Sequence, residues 1–132
     1  MIKTKLPVIE KEIDESTGKL VVKESEIDVA IDTSLFAEER WEQNFPLQAK
    51  SETLFAYVER VGAAGLVDNK AHILSNLKAL YCFIESDKLA DWKTFLKMFD
   101  LADMAYLTRL TDKIKYVFEI ALSTATADSK NL

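Results

Sequence analysis

The sequence contains few of the residues from which catalytic and metal sites are built. Its 132 residues include a single cysteine, Cys82, and a single histidine, His72. One cysteine cannot form an internal disulfide, and it fits a reducing compartment. On one straight helix the two residues would lie about 15 Å apart along the axis, too far for a direct Cys–His pair. We therefore expect no enzyme activity, no metal site and no cofactor, with Cys82 as a buried apolar residue.

Glycine, basic clusters and long apolar runs are also scarce. Three glycines leave no glycine-rich phosphate loop. The net charge of -5 argues against nucleic-acid binding through phosphate neutralisation. No run approaches the roughly 20 apolar residues of a membrane span, and "MIKTKLPVIEKEID" carries charges where a signal peptide has its apolar segment. We expect a cytoplasmic protein that binds neither nucleic acid nor a membrane.

The first 35 residues contain no aromatic side chain, although the chain has 2 Trp, 4 Tyr and 7 Phe. In "EIDVAID" apolar and polar residues alternate, which is typical of a strand with one solvated face. "KLVVKE" is rich in β-branched residues, and "DESTGK" supplies turn residues before it. The pattern predicts a hairpin of residues 8–13 against 19–24 and a third strand at 26–32. We expect residues 1–33 to form an extended β arm.

From Ser34 onward the apolar residues follow helical spacing. Ser34, Ser51, Asp68 and Ser86 are the predicted N-caps of four helices, and a longer apolar pattern after residue 100 predicts a fifth. The sequence thus predicts an α+β fold, with the β arm followed by a mainly helical bundle of about five helices at 34–123. The small polar residues at 124–132 predict a flexible C-terminal tail.

The stretch "RWEQNFP" marks the junction between the arm and the helical body. Trp41 and Phe45 are four residues apart and share one helical face, where large aromatics ordinarily pack into a core. Pro46 is expected to end this first helix. We therefore assign Arg40, Trp41, Phe45 and Pro46 to a structural junction.

The remaining signal for function is apolar surface. The last helix is apolar nearly all round in "YVFEIAL", and the arm has an unpaired strand edge, as protein–protein contact sites do. The patterning leaves two arrangements open: the arm folds back over the last helix, or both bind other chains. For the second arrangement, the candidate self-assembly and protein-binding residues are Val22, Ile27, Val29, Ile31, Tyr116, Val117, Phe118, Ile120 and Leu122.

Two stretches of the chain resemble one family. They are "IDTSLFAEERWEQNFP", with the junction residues Arg40, Trp41, Phe45 and Pro46, and the run of residues 92–100 in "DWKTFLKMFDLAD". Together with an apolar last helix before "SKNL", this layout resembles tail assembly chaperones of long-tailed bacteriophages and prophages of Gram-positive bacteria. The strand-rich arm departs from an all-helical chaperone.

The resemblance implies a non-enzymatic protein that self-associates, as a ring or a filament, and coats the tape measure protein. It would keep that long helical protein soluble until the tail tube polymerises, and it admits the tail tube protein as a further partner. The expected location is the cytoplasm of the infected bacterial host, not the mature virion. The alternative is a structural head–tail connector or tail completion protein that is retained in the virion.

Overall fold

The computed structural model describes the backbone of residues 2–89, 91–101 and 103–130, and the side chains of these residues as far as 123. A three-stranded antiparallel sheet in the order β1-β2-β3 joins a set of helices, so the predicted α+β class is confirmed. The elements are β1 (Ile2–Ile13), β2 (Leu20–Ile31), α1 (Leu35–Asn44), α2 (Pro46–Ser51), α3 (Leu54–Ala63), α4 (Ile73–Phe83), β3 (Ile84–Glu85), α5 (Trp92–Leu96) and α6 (Met104–Lys130).

The arm is one long hairpin with an unbroken register from Ile2 opposite Ile31 to Ile13 opposite Leu20. The predicted hairpin of 8–13 and 19–24 is only its outer half. The predicted separate strand at 26–32 was wrong, because that segment continues β2 without a turn. The third strand is instead β3, which pairs with β2 at Ala30 and Ile31.

The edge of β1 is closed by the helical body at Pro7 and Ile9. The amide of Ile9 donates to the Met98 carbonyl at 2.7 Å, so it points away from β2. Pro7 lies two residues earlier on β1, so its backbone nitrogen also points away from β2. Proline has no N–H, and at this position the sheet loses no hydrogen bond. The Pro7 carbonyl instead accepts a hydrogen bond from the Tyr106 hydroxyl of α6, at 3.0 Å. The sequence-distant helix α6 thereby holds β1 against the body.

Several helices begin or end at other residues than predicted. Ser34 caps α1 as expected, since its side chain accepts from the Phe36 amide. Pro46 does end α1, but it also opens the short helix α2 at its first turn, where a missing N–H costs nothing. The cap of α3 is Thr53, two residues after the predicted serine.

The later helices are shorter at their starts than the pattern indicated. Two 3-10 turns, at Leu66–Asp68 and Lys70–His72, precede α4, so Asp68 does not cap it. The N-cap of α5 is Asp91, whose carboxylate accepts from the Thr94 amide at 2.8 Å, in place of the predicted Ser86. The predicted flexible tail began at 124, whereas the α6 backbone continues as helix to Lys130; residues 131 and 132 lie outside the described residues.

Five aromatic side chains form a cluster within and against the core. Trp41, Phe45, Tyr81, Trp92 and Phe95 lie with neighbouring ring centroids between 4.9 and 6.5 Å apart, mostly edge to face. Such pairs are stabilised by ring quadrupoles in addition to the burial of apolar area. The long helix α6 packs against α3, α4 and β1.

Candidate protein-interaction site

The four junction residues have structural roles. Trp41 and Phe45 are buried, and the Trp41 indole donates to the Glu52 carbonyl at 3.1 Å. Arg40 donates to the Ile84 carbonyl at 2.7 Å and lies over the Tyr81 ring. The group therefore fastens α1 to the body, as the sequence predicted for the aromatic pair.

Three of the candidate strand residues are inside the protein. Ile27, Val29 and Ile31 lie on the face of β2 that packs into the core, and none is more than 8% exposed. A second protein cannot contact these side chains in this fold, so the expectation that they form an open surface is corrected. The arm does fold back on the body along this half, which is the first of the two arrangements that the patterning left open.

The candidate residues of α6 are also largely covered. Val117 and Phe118 are buried, and Ile120 and Leu122 pack partly buried against the core. Tyr116 alone among them is exposed, with 40% of its surface accessible. The expectation that this helix has more apolar surface than the protein can bury is corrected, because α3, α4 and β1 together cover most of its apolar side chains.

The outer end of the hairpin is different. Here β1 and β2 carry four exposed aliphatic side chains: Ile13 at 69%, Leu20 at 63%, Val22 at 54% and Val21 at 46%. Ile13 lies directly opposite Leu20, and Val22 follows on the same face. We call these four residues the hairpin tip. Only Val22 was among the sequence candidates; the aliphatic residues flanking the predicted turn were the signal for the others.

The turn that joins the two strands is well bonded. The Gly18 amide donates to the Asp14 carbonyl at 2.7 Å, and Gly18 adopts a positive φ of 67°. The Asp14 carboxylate accepts from the hydroxyl and the amide of Ser16, and these hydrogen bonds lower the pKa of Asp14. The hairpin tip is therefore presented on an ordered turn.

A second apolar feature is a groove of about 380 Å³ between α1, α3 and the end of α6. Leu35 and Phe55 stand exposed at its rim, and buried Val58 and Phe83 line its floor. The carboxylate of Glu38 also lines it, but both oxygens already accept the first amides of α3, at 2.8 and 2.9 Å. The groove therefore offers a ligand mainly apolar side chains, because the Glu38 carboxylate is already hydrogen-bonded.

The two residues considered for catalysis are apart and differently placed. Cys82 is fully buried in α4, and burial raises the pKa of its thiol to about 12. His72 closes the 3-10 turn before that helix. Among the described residues no group of three or more His, Cys, Asp or Glu side chains could hold a metal ion. In the same part of the chain, no helix combines the length and apolarity needed to cross a bilayer.

Comparison with known proteins adds no relative. No family model, no curated protein and no solved structure matches the chain.

Proposed function

We propose that this protein is a tail assembly chaperone that self-associates and coats the tape measure protein of a long-tailed phage. The sequence resemblance suggests this role, and the exposed hairpin tip is the structural observation that supports it. Ile13, Leu20 and Val22 share one face of the hairpin next to an ordered turn and Val21 lies on the other face, and exposed apolar patches of this kind mark protein-binding surfaces.

The groove beside α1 and α3 fits the same role. A tape measure protein is a long helix with apolar faces, and apolar side chains of such a helix enter grooves of this kind. Each contact would be weak, but many subunits along one long helix bind with high avidity and can still be displaced one by one. Displacement matters because the tail tube must replace the chaperone around the tape measure protein.

The proposal is tested by removing apolar surface from the hairpin tip. The double variant Ile13→Ser, Leu20→Ser changes the outermost cross-strand pair. The matched control, Leu47→Ser, Leu101→Ser, removes two leucines that are 79% and 65% exposed elsewhere. Neither variant should change folding stability by more than about 0.5 kcal/mol per site, since the substitutions are at the surface.

Two measurements distinguish the variants. Sedimentation of the parent protein should show concentration-dependent association. The association constant should be at least ten-fold lower for the tip variant and unchanged for the control. Co-expression with the tape measure protein of the same phage should give soluble complex with the parent and the control, but less with the tip variant. A parent protein that stays monomeric and leaves the tape measure protein insoluble would refute the proposal, and its presence in finished particles would favour the head–tail connector.

A further inference from the structure

An open cleft runs beside β2, on the side away from β1. It has a volume of about 580 Å³ and is lined by residues 26–30 of β2, by Glu85 of β3 with residues 86–88 after it, and by Lys3, which lies opposite Ala30 on β1. The cleft exists because β3 is only two residues long and pairs with β2 only at Ala30 and Ile31. From there toward the hairpin turn, no described residue continues the sheet on this side.

The backbone of β2 points hydrogen-bonding groups into this space. The amide of Asp32 donates to the Phe83 carbonyl, at 2.6 Å, toward the β3 side. Because alternate residues of a strand direct their N–H and C=O to the same side, Asp28, Glu26 and Glu24 present theirs to the cleft edge. The pair Glu24 and Ile9 gives the same result. The Ile9 amide points away from β2, so the two residues are not hydrogen-bonded to each other and the Glu24 amide points away from β1. The outer edge of β2 can therefore accept another strand.

The side chains along this edge select the charge of such a strand. Glu24, Glu26 and Asp28 lie on one face at alternate positions. Glu24 forms an ion pair with Arg109. Asp28 lies 3.4 Å from the Lys5 ammonium, in an exposed ion pair that contributes little to stability. Glu85 and Asp87 stand on the facing wall, so Lys3 and Lys88 are outnumbered among the lining residues.

A second copy of β2 would bring like charges into register, which destabilises cross-strand pairs. We propose instead that the outer edge of β2 binds an extended basic segment of another protein, in which Lys or Arg alternates with apolar residues. The main chain of this segment would extend the sheet where β3 ends, and its cations would face Glu26 and Asp28. This inference does not rest on the proposed function, and it involves a surface separate from the hairpin tip.

The probe is an acetylated and amidated ten-residue peptide of alternating lysine and valine, added to the 15N-labelled full chain. The amides of Glu24, Glu26 and Asp28 should shift and should exchange more slowly with solvent. Two control peptides separate the contributions to binding: one carries glutamate in place of lysine, and one carries N-methyl groups on alternate amides. Each should bind at least ten-fold more weakly than the probe.

Variants of Asp28 test the backbone directly. Asp28→Pro removes an N–H that points outward, as Pro7 does on the other edge, whereas Asp28→Ala removes the same charge and keeps the donor. We expect the proline variant to lose binding at least ten-fold relative to the alanine variant. Should the proline variant not fold by circular dichroism, Glu26→Lys must weaken the probe at least three-fold. Equal binding by the N-methylated peptide, by the glutamate peptide or by a folded Asp28→Pro variant would overturn the inference.

Discussion

The hydrogen bond between Tyr106 and Pro7 is the sharpest test of how the hairpin is held to the body. The Tyr106 ring is fully buried, its hydroxyl lies 3.0 Å from the Pro7 carbonyl, and burial raises the pKa of Tyr106 above its usual value. Tyr106→Phe keeps the ring and removes the donor, which leaves a buried carbonyl without this partner. The loss of such a bond costs about 1–2 kcal/mol.

This cost converts into a measurable change in melting temperature. With an unfolding entropy of about 2.1 cal/mol/K per residue, 132 residues give about 0.28 kcal/mol/K, so Tm should fall by about 4–7 °C. Scanning calorimetry would measure the fall, and hydrogen exchange should show faster exchange of the Ile9 amide, which bonds to Met98 beside it.

The matched control is Tyr116→Phe, on the same helix, where the side chain is 40% exposed. It removes the same atom from a solvated position and should change stability by less than about 0.5 kcal/mol. If both variants melt together with the parent, α6 does not hold β1 in the way the structure indicates, and the distinction between a covered inner half and an open outer half of the hairpin is lost.

Three further predictions concern the core. Trp41→Phe should lower the unfolding free energy by about 2 kcal/mol in urea titration, because it shrinks a buried ring and leaves the Glu52 carbonyl without the indole donor. Asn76 is fully buried and accepts a hydrogen bond from the Tyr57 hydroxyl at 2.6 Å. Asn76→Ala and Tyr57→Phe should therefore show a coupling energy of about 0.5–2 kcal/mol in a double-mutant cycle. Additive effects of the two substitutions would contradict this hydrogen bond. Burial raises the pKa of Cys82 from 9.0 to about 12, so the neutral thiol stabilises the fold at neutral pH, and this contribution is lost as pH rises from about 9 toward 12. The unfolding free energy of Cys82→Ala should therefore fall less over that pH range than the unfolding free energy of the parent. An equal fall in both proteins would contradict the pKa shift.

Much of the fold follows from local pattern. Alternation predicted strands in the arm, the Ser34 cap predicted the start of α1, and helical spacing predicted a helical body. The exact ends were not predictable in the same way, because they depend on partners distant in sequence. Ile84 and Glu85 form β3 only because β2 lies beside them, and nothing local in "ALYCFIE" separates this strand from the end of a helix.

The candidate site was harder to predict, for a related reason. Ile27 and Val21 are aliphatic residues on the same face of β2, yet one is 8% exposed and the other 46%. The difference lies in how far the helical body extends along the hairpin, which is a property of the tertiary packing. A strand pattern therefore predicts which side chains share a face, but it does not predict where along the strand the protein stops covering that face.

That boundary also explains why the hairpin offers two separable surfaces. Each strand has 12 residues and is about 40 Å long, so the body can cover the inner half and leave the tip free. Near the middle of the hairpin the β1 edge is closed at Pro7 and Ile9 by Tyr106 and Met98, while the β2 edge stays open beyond β3. Val22 and Asp28 are about 20 Å apart along β2, far enough for substitutions at the two places to act independently. Loss of self-association at the tip with retained binding of a basic strand at the edge, or the reverse, therefore assigns each activity to its own surface.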